Sequence, residues 1–353
     1  MYCIALLSNS GSMHDSHVKQ GLTHVCEHSV LFHHMRKHRN RSPLMISGRT
    51  DFFSCSVLFS VPEKYVAREE DSMIEDILSG AYLTEDSLES AKEEVIGECL
   101  KRKAYDKKME RVASFVTDGA IVAMPTGKMS AVQSLTLRDV HRGNPFSRNN
   151  SLIYLEYNLG AVSHFLYMPA SKSISTVSKH APSIKILKTS DDGIRIYLAM
   201  PSCVTFKDIL LRTMMESVIR QRAKKARIQI KGLYHKHYFK EFPHLVLVFR
   251  GTDLPSEESV IDLTTLLGHN FVTKSEFRHA RSTILFDAQT APAPDVFKDL
   301  QCYLSFGTPG ISQLDCKEIS SLVATVSADD LTEYIERSFA NIHIVYGTQN
   351  HDL

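Results

Sequence analysis

Tryptophan is missing from this 353-residue sequence, and so are a Cys-x-x-Cys pair, a surplus of either charge and any long apolar run. Lys and Arg number 41 against 40 Asp and Glu, a formal charge of +1. That balance argues against a protein that tracks nucleic-acid phosphates, which normally carries a basic surplus. The one basic run, His33 to Arg41, reads as a solvated helix face. Seven scattered cysteines form neither a disulfide framework nor a thiolate zinc knuckle, and they suit a reducing compartment. The apolar stretch near the N-terminus is too short for a signal peptide or a membrane span. The expectation is a cytoplasmic protein with no membrane anchor.

What is present is an ordinary globular composition, 43% apolar and 23% charged, too apolar for a disordered chain. At roughly 100–200 residues per domain the length suggests two domains, each able to bury its own core. The patterning predicts strands over 3–8, 51–61, 151–157 and 164–168, and helices over 21–32, 62–78, 86–103 and 130–140. A Ser-, Lys-, Pro- and Asp-rich stretch around 171–192 reads as a linker. After it a similar order returns: a strand over 193–200, a helix over 206–225, a strand over 245–250, helices over 257–267 and 274–289, and a strand over 343–346. Thr84 before one long helix and Thr273 before another sit in similar contexts. The expected fold class is α+β, with two similar domains, 1–180 and 181–353, each a mainly antiparallel sheet packed against helices.

Seventeen histidines mean nothing by number, but the spacing of two of them does. His24, Glu27 and His28 form His-x-x-Glu-His inside a predicted helix. Positions i and i+4 share one helix face, so both imidazoles can hold one Zn²⁺ while Glu27 stands beside the open coordination position as a general base. A third ligand, of carboxylate type, must come from elsewhere. The helix over 86–103 carries Glu89, Glu93, Glu94 and Glu98, acidic residues that on most helices are simply solvated. Glu98 stands out because it follows Gly97, whose small surface would let this helix pack close to the His24 helix; Glu94, one turn earlier, is the alternative ligand. His33, His34 and His38 read as surface residues, since no carboxylate or cysteine accompanies them at ligand spacing, and Cys26 reads as core.

The segment from Gly21 to Phe32 closely resembles the inverted zinc motif of the pitrilysin/insulinase-type (M16) metallopeptidases. In that family the third ligand is a glutamate in a Val-x-x-Glu context on a downstream helix, which Val95-Ile96-Gly97-Glu98 matches, although the spacing from the second histidine is shorter, with the shortfall between Phe32 and Leu44. Ser47-Gly48-Arg49-Thr50 resembles the family's substrate-binding edge strand, where Asn-Ala-x-Thr is more usual. Arg227 and Tyr234, seven positions apart, resemble the pair with which the family's far domain holds and polarises substrate, and the resemblance continues to Gly347. Family members usually have one more strand before Cys3–Ser8.

The resemblance implies a zinc endopeptidase that takes extended or unfolded peptides, including leader or precursor segments of ribosomally made peptides. It also implies that two domains are half of a clamshell, completed by a homodimer or by a heterodimer with a related subunit. The competing expectation is a catalytically silent partner subunit.

Overall fold

The computed structural model describes residues 2–38, 45–61, 74–119, 123–147, 150, 152–158, 161–168, 183–189, 193–200, 205–237, 243–250, 254, 256–268, 271–290, 314 and 316–347. They divide into two compact units: Met1–Ser114 with Ala120–Ser175, and Phe115–Gly119 with Thr176–Leu353. Each unit has its own apolar core. Among the described residues no helix is long and apolar enough to cross a membrane.

In the first unit the chain runs through β1 (Tyr2–Ser8), α1 (Leu22–His38), β2 (Met45–Thr50), β3 (Cys55–Val61), a helical stretch at 74–79, α2 (Glu85–Val116), α3 (Met129–Ser134), α4 (Leu137–Arg142), β4 (Leu152–Asn158) and β5 (Ala161–Met168). The strands form one antiparallel sheet in the order β2-β3-β1-β4-β5, which leaves β2 outermost on one side among the described strands. The Ile4, Leu6, Val57 and Phe59 side chains of β1 and β3 pack with Val25, Cys26 and Val30 of α1 and with Leu88, Ala91 and Val95 of α2 in one core.

The second unit contains β6 (Ser183–Thr189), β7 (Gly193–Ala199), α5 (Phe206–Lys225), β8 (Gly232–His237), β9 (Pro243–Phe249), α6 (Glu257–Gly268), α7 (Lys274–Thr290), α8 (Cys316–Ala324), α9 (Ala328–Ser338) and β10 (Asn341–Gly347). Its sheet order is β6-β10-β7-β9-β8, with β6 parallel to β10 and the other pairs antiparallel. From the β8 side the order β8-β9-β7-β10 repeats β2-β3-β1-β4 strand for strand. The fold is α+β with two similar halves, and α5 stands where α1 stands in the first unit. The fifth position differs: β5 follows β4 in the chain, whereas β6 precedes β7.

The patterning and the structure part in several places. The expected strand 51–61 starts at Cys55, because Asp51 bonds to its own chain neighbours: its N–H donates to the Ser54 carbonyl, and its carboxylate accepts the Phe52 N–H. The helix expected over 130–140 is two short ones. Thr136 interrupts it, since its hydroxyl caps the Asp139 N–H and the Asp139 side chain returns to the Thr136 N–H. Of the helix 62–78, residues 62–73 lie outside the described residues, and of the linker 171–192 so do 171–182 and 190–192. Residues 183–189 of that linker are strand β6, and β8, α8 and α9 have no counterpart in the patterning. The Thr84 and Thr273 contexts do recur: each hydroxyl accepts the backbone N–H three residues on, at the start of a helix.

Candidate metal centre

Helix α1 is buried along its whole first half, residues 22–30, so any polar group there must be accounted for. Its N-terminus is held by Asp15, whose carboxylate accepts from the Gly21 N–H at 2.8 Å, the Thr23 N–H at 3.1 Å and the Thr23 hydroxyl at 2.6 Å. These satisfy donors that a helix start leaves without partners. Burial nevertheless lifts the Asp15 carboxyl to a pKa of about 6, with the Thr23 and Gly21 bonds opposing. Gly21 has φ +100, and a Cβ there would stand 2.7 Å from Val132 Cγ2, so the entry to the helix admits glycine alone without rearrangement.

Among the polar side chains that α1 buries are His24, Glu27 and His28, at 7, 3 and 9% exposure. One helical turn separates the imidazoles, which meet edge to face with centroids 4.8 Å apart. Glu98 of α2 reaches both: its Oε2 lies 3.6 Å from His24 Nε2 and its Oε1 3.6 Å from His28 Nε2. Ligand atoms of the three residues all lie within 4.8 Å of one another. Glu94 is exposed and stands outside this cluster, though its charge, after that of Glu98, favours protonation of His28. Gly97 does not serve close packing as expected. Nothing lies within 4 Å of where its Cβ would be, so Glu98 reaches the histidines by its own side-chain length.

The donor set fits a zinc ion. Burial drives His24 to a pKa of about 3, reinforced by His28, while the Thr126 carbonyl opposes; burial lowers His28 as well. Both rings are therefore neutral near pH 7 and offer lone pairs. A separation of 3.6 Å is too long for a hydrogen bond. It matches the roughly 3.3–3.6 Å between two donors that sit 2.0–2.2 Å from a common tetrahedral centre. His24 Nδ1 is buried with no hydrogen-bond partner of normal geometry, a further cost that a firmly held ring would have to offset.

Glu27 is held from the other side by β2. Thr50 Oγ1 donates to Glu27 Oε2 at 2.6 Å, and a Cβ on Gly48 would stand 2.2 Å from Glu27 Oε1. Exposure alternates along β2, so Gly48 and Thr50 face inward while Ser47 and Arg49 are exposed. Of the four residues expected to bind substrate, Gly48 and Thr50 thus also cradle Glu27. Burial pushes the Glu27 carboxyl up to about 7; the Thr50 bond opposes and the Glu98 charge adds to the rise. The Thr50–Glu27 contact, between residues 23 apart on different elements, carries no local sequence signal.

Arg227 and Tyr234 belong to the second unit. Arg227 follows α5 with φ +59, and Tyr234 lies on β8 at 44% exposure. Helix α5, the counterpart of α1, contains no histidine and buries Ile209, Leu210, Met214, Met215 and Val218, so the fold is repeated and the ligand set is not. The histidines downstream on α1 also depart from expectation. His34 is fully buried, and a carboxylate, Asp76, does accompany His33 and His34; nothing is described of the His38 side chain.

No protein-family model matches the sequence, and no curated protein does. Solved structures do. The periplasmic protease PqqL from Escherichia coli aligns over 99% of this chain and 45% of its own length, with TM-score 0.68 and 13% identity. This chain thus spans under half of that protease, and it covers 87% of a structure of the protease's first half, at the same TM-score and identity. A peptidase M16 inactive domain from Pseudomonas fluorescens aligns over 98% of this chain and 93% of its own, with TM-score 0.65 and 12% identity. Similarity at this identity speaks for architecture, not for chemistry. The chain has the M16-type peptidase fold.

Proposed function

We propose that this chain is a zinc-dependent endopeptidase that cleaves extended or unfolded peptides. The observation that carries the reading is the convergence of His24, His28 and Glu98 at tetrahedral donor spacing, with Glu27 anchored beside them. These three residues would hold Zn²⁺, which supplies Lewis-acid chemistry: it polarises a peptide carbonyl and acidifies water. Glu27 takes a proton at Oε1 from the water that attacks the peptide carbonyl, since Oε2 is already engaged by Thr50, and passes it to the amine that departs as the C–N bond breaks. A buried carboxyl with a pKa near 7 is suited to carry a proton both ways at neutral pH. A peptide in extended form adds to the outer edge of β2, so Ser47, Gly48, Arg49 and Thr50 present main-chain groups to it and side-chain preference stays loose. Arg227 and Tyr234 then orient the substrate carbonyl by donating to it.

Two units make half of a clamshell, so the working form in this reading is a homodimer, or a heterodimer with a related subunit. Removal of a leader from a ribosomally made precursor in the cytoplasm is the use that fits an unfolded substrate. The second reading, a silent partner subunit, draws support from the likeness to an inactive M16 domain. A retained ligand set argues against it.

The test is cleavage of a flexible fluorogenic peptide by the purified chain with and without a chelator, alongside Glu27→Gln. Chelator-sensitive cleavage that Glu27→Gln loses by at least a thousandfold, while keeping its zinc, is the expected result. Undiminished cleavage by Glu27→Gln overturns the role of Glu27, and a chain that binds zinc yet never cleaves alone favours the partner subunit.

A further inference from the structure

A second group of metal-ligating side chains lies farther along α1 and shares no residue with the first. His33 and His34 are consecutive on α1, and Asp76 comes from the helical stretch at 74–79. Ligand atoms of the three lie within 4.8 Å of one another, and His33 Nε2 is 3.9 Å from Asp76 Oδ2. The two rings meet edge to face with centroids 5.0 Å apart. His34 is fully buried with its ring edge against Phe59, whereas His33 and Asp76 are each 24% exposed at the side chain, which leaves a route to solvent. One more group matters: Lys37 Nζ stands 2.5 Å from Asp76 Oδ2, the same oxygen that faces His33.

The geometry points to a second metal site, formed by His33, His34 and Asp76, that takes a divalent transition-metal ion in exchange for the Lys37 ammonium. Two imidazoles with one carboxylate select zinc, copper or nickel over magnesium or calcium, which prefer all-oxygen shells. Lys37 already places a positive charge on the acceptor oxygen, so the position is one where the protein tolerates a cation. At 38% side-chain exposure the ammonium can swing into water when an ion arrives. Asp76 and the histidines come from separate elements, so a bound ion ties α1 to the 74–79 stretch. His28 and His33 are five residues apart, about 7.5 Å along the helix axis, so the two ions do not share a ligand shell.

The competing account is a surface ion pair of Lys37 and His33 with Asp76, and stoichiometry separates the two. The chelator-stripped full chain is titrated with Zn²⁺ and, in parallel, with Co²⁺ followed by its visible absorption. His33→Gln and Asp76→Asn are titrated the same way, each after circular dichroism has shown an unchanged fold. Each variant is expected to bind one equivalent fewer than the wild type. Lys37→Gln is expected to keep that equivalent and bind it roughly two- to fivefold more tightly, because an exposed ion pair no longer competes. Equal stoichiometry in the wild type and both ligand variants overturns the proposal, as does weaker binding in Lys37→Gln. The result is read as a difference from the wild type, so it stands whether or not His24, His28 and Glu98 hold zinc.

Discussion

Glu27 is the residue whose environment is most fully specified. Its Oε2 takes the Thr50 hydroxyl, its Oε1 presses against Gly48, and α1 fixes its backbone. Thr50→Val keeps the shape and removes the donor. A hydrogen bond to a charged group contributes roughly 1.5–3 kcal/mol, so kcat/KM is expected to fall about 10- to 100-fold. The fall should lie in kcat, with KM and zinc content unchanged, because Thr50 acts through Glu27. Gly48→Ala should lose more, since its methyl would displace the carboxylate itself. Steady-state kinetics with metal analysis checks both, and a change confined to KM would mean that the Thr50 side chain acts on substrate and not through Glu27. The histidine pair and Glu98 were legible from helical spacing and the Val-x-x-Glu context. Thr50 against Glu27 and Asp76 against His33 were not, because each contact joins residues that only the tertiary fold brings near.

At the scale of elements, several helices start on a Ser or Thr with Asp three residues on. Thr136 with Asp139 opens α4, Thr205 with Asp208 opens α5 and Ser327 with Asp330 opens α9. Two of these aspartates gain a lysine from another element. Lys207 donates to Asp330 and Lys19 to Asp139, and those bonds with the caps hold both carboxyls at a pKa of about 2, below the usual 3.8. A depressed carboxyl pKa stabilises the folded chain above pH 4, and that contribution is lost as pH falls from about 4 to about 2. Asp330→Asn is therefore expected to lower the thermal midpoint at pH 5, with the gap from wild type closing by pH 2. A gap that persists at pH 2 would assign its effect to packing. The apolar patterning found α5, α6 and α7. It missed β6, a half-exposed edge strand whose Lys and Ser content reads as linker, and it merged α3 with α4 because Thr136 is polar but not a helix breaker in itself.

The fold repeats one architecture twice, and among the described residues the candidate ligand clusters lie in the first copy. If the residues that hold zinc and those that hold substrate meet across subunits, two dead variants can complement each other. Glu27→Gln and the double variant Arg227→Ala, Tyr234→Phe should each be inactive alone and regain cleavage when mixed under conditions of subunit exchange. Failure of the mixture, with exchange confirmed by native mass spectrometry, would mean that each chain serves its own site or that the second pair has no part in it. The outermost position of β2 has a cost of a different kind. An edge whose main-chain groups are free to take one extended chain will take any, including β2 of a neighbouring molecule, and such pairing propagates into aggregates. The strand offers little to sustain it: six residues, with Met45 and Ile46 the only large apolar ones, and the Arg49 guanidinium 71% exposed. Shortness and that single charge keep the edge open to a passing peptide while discouraging a second copy from settling on it.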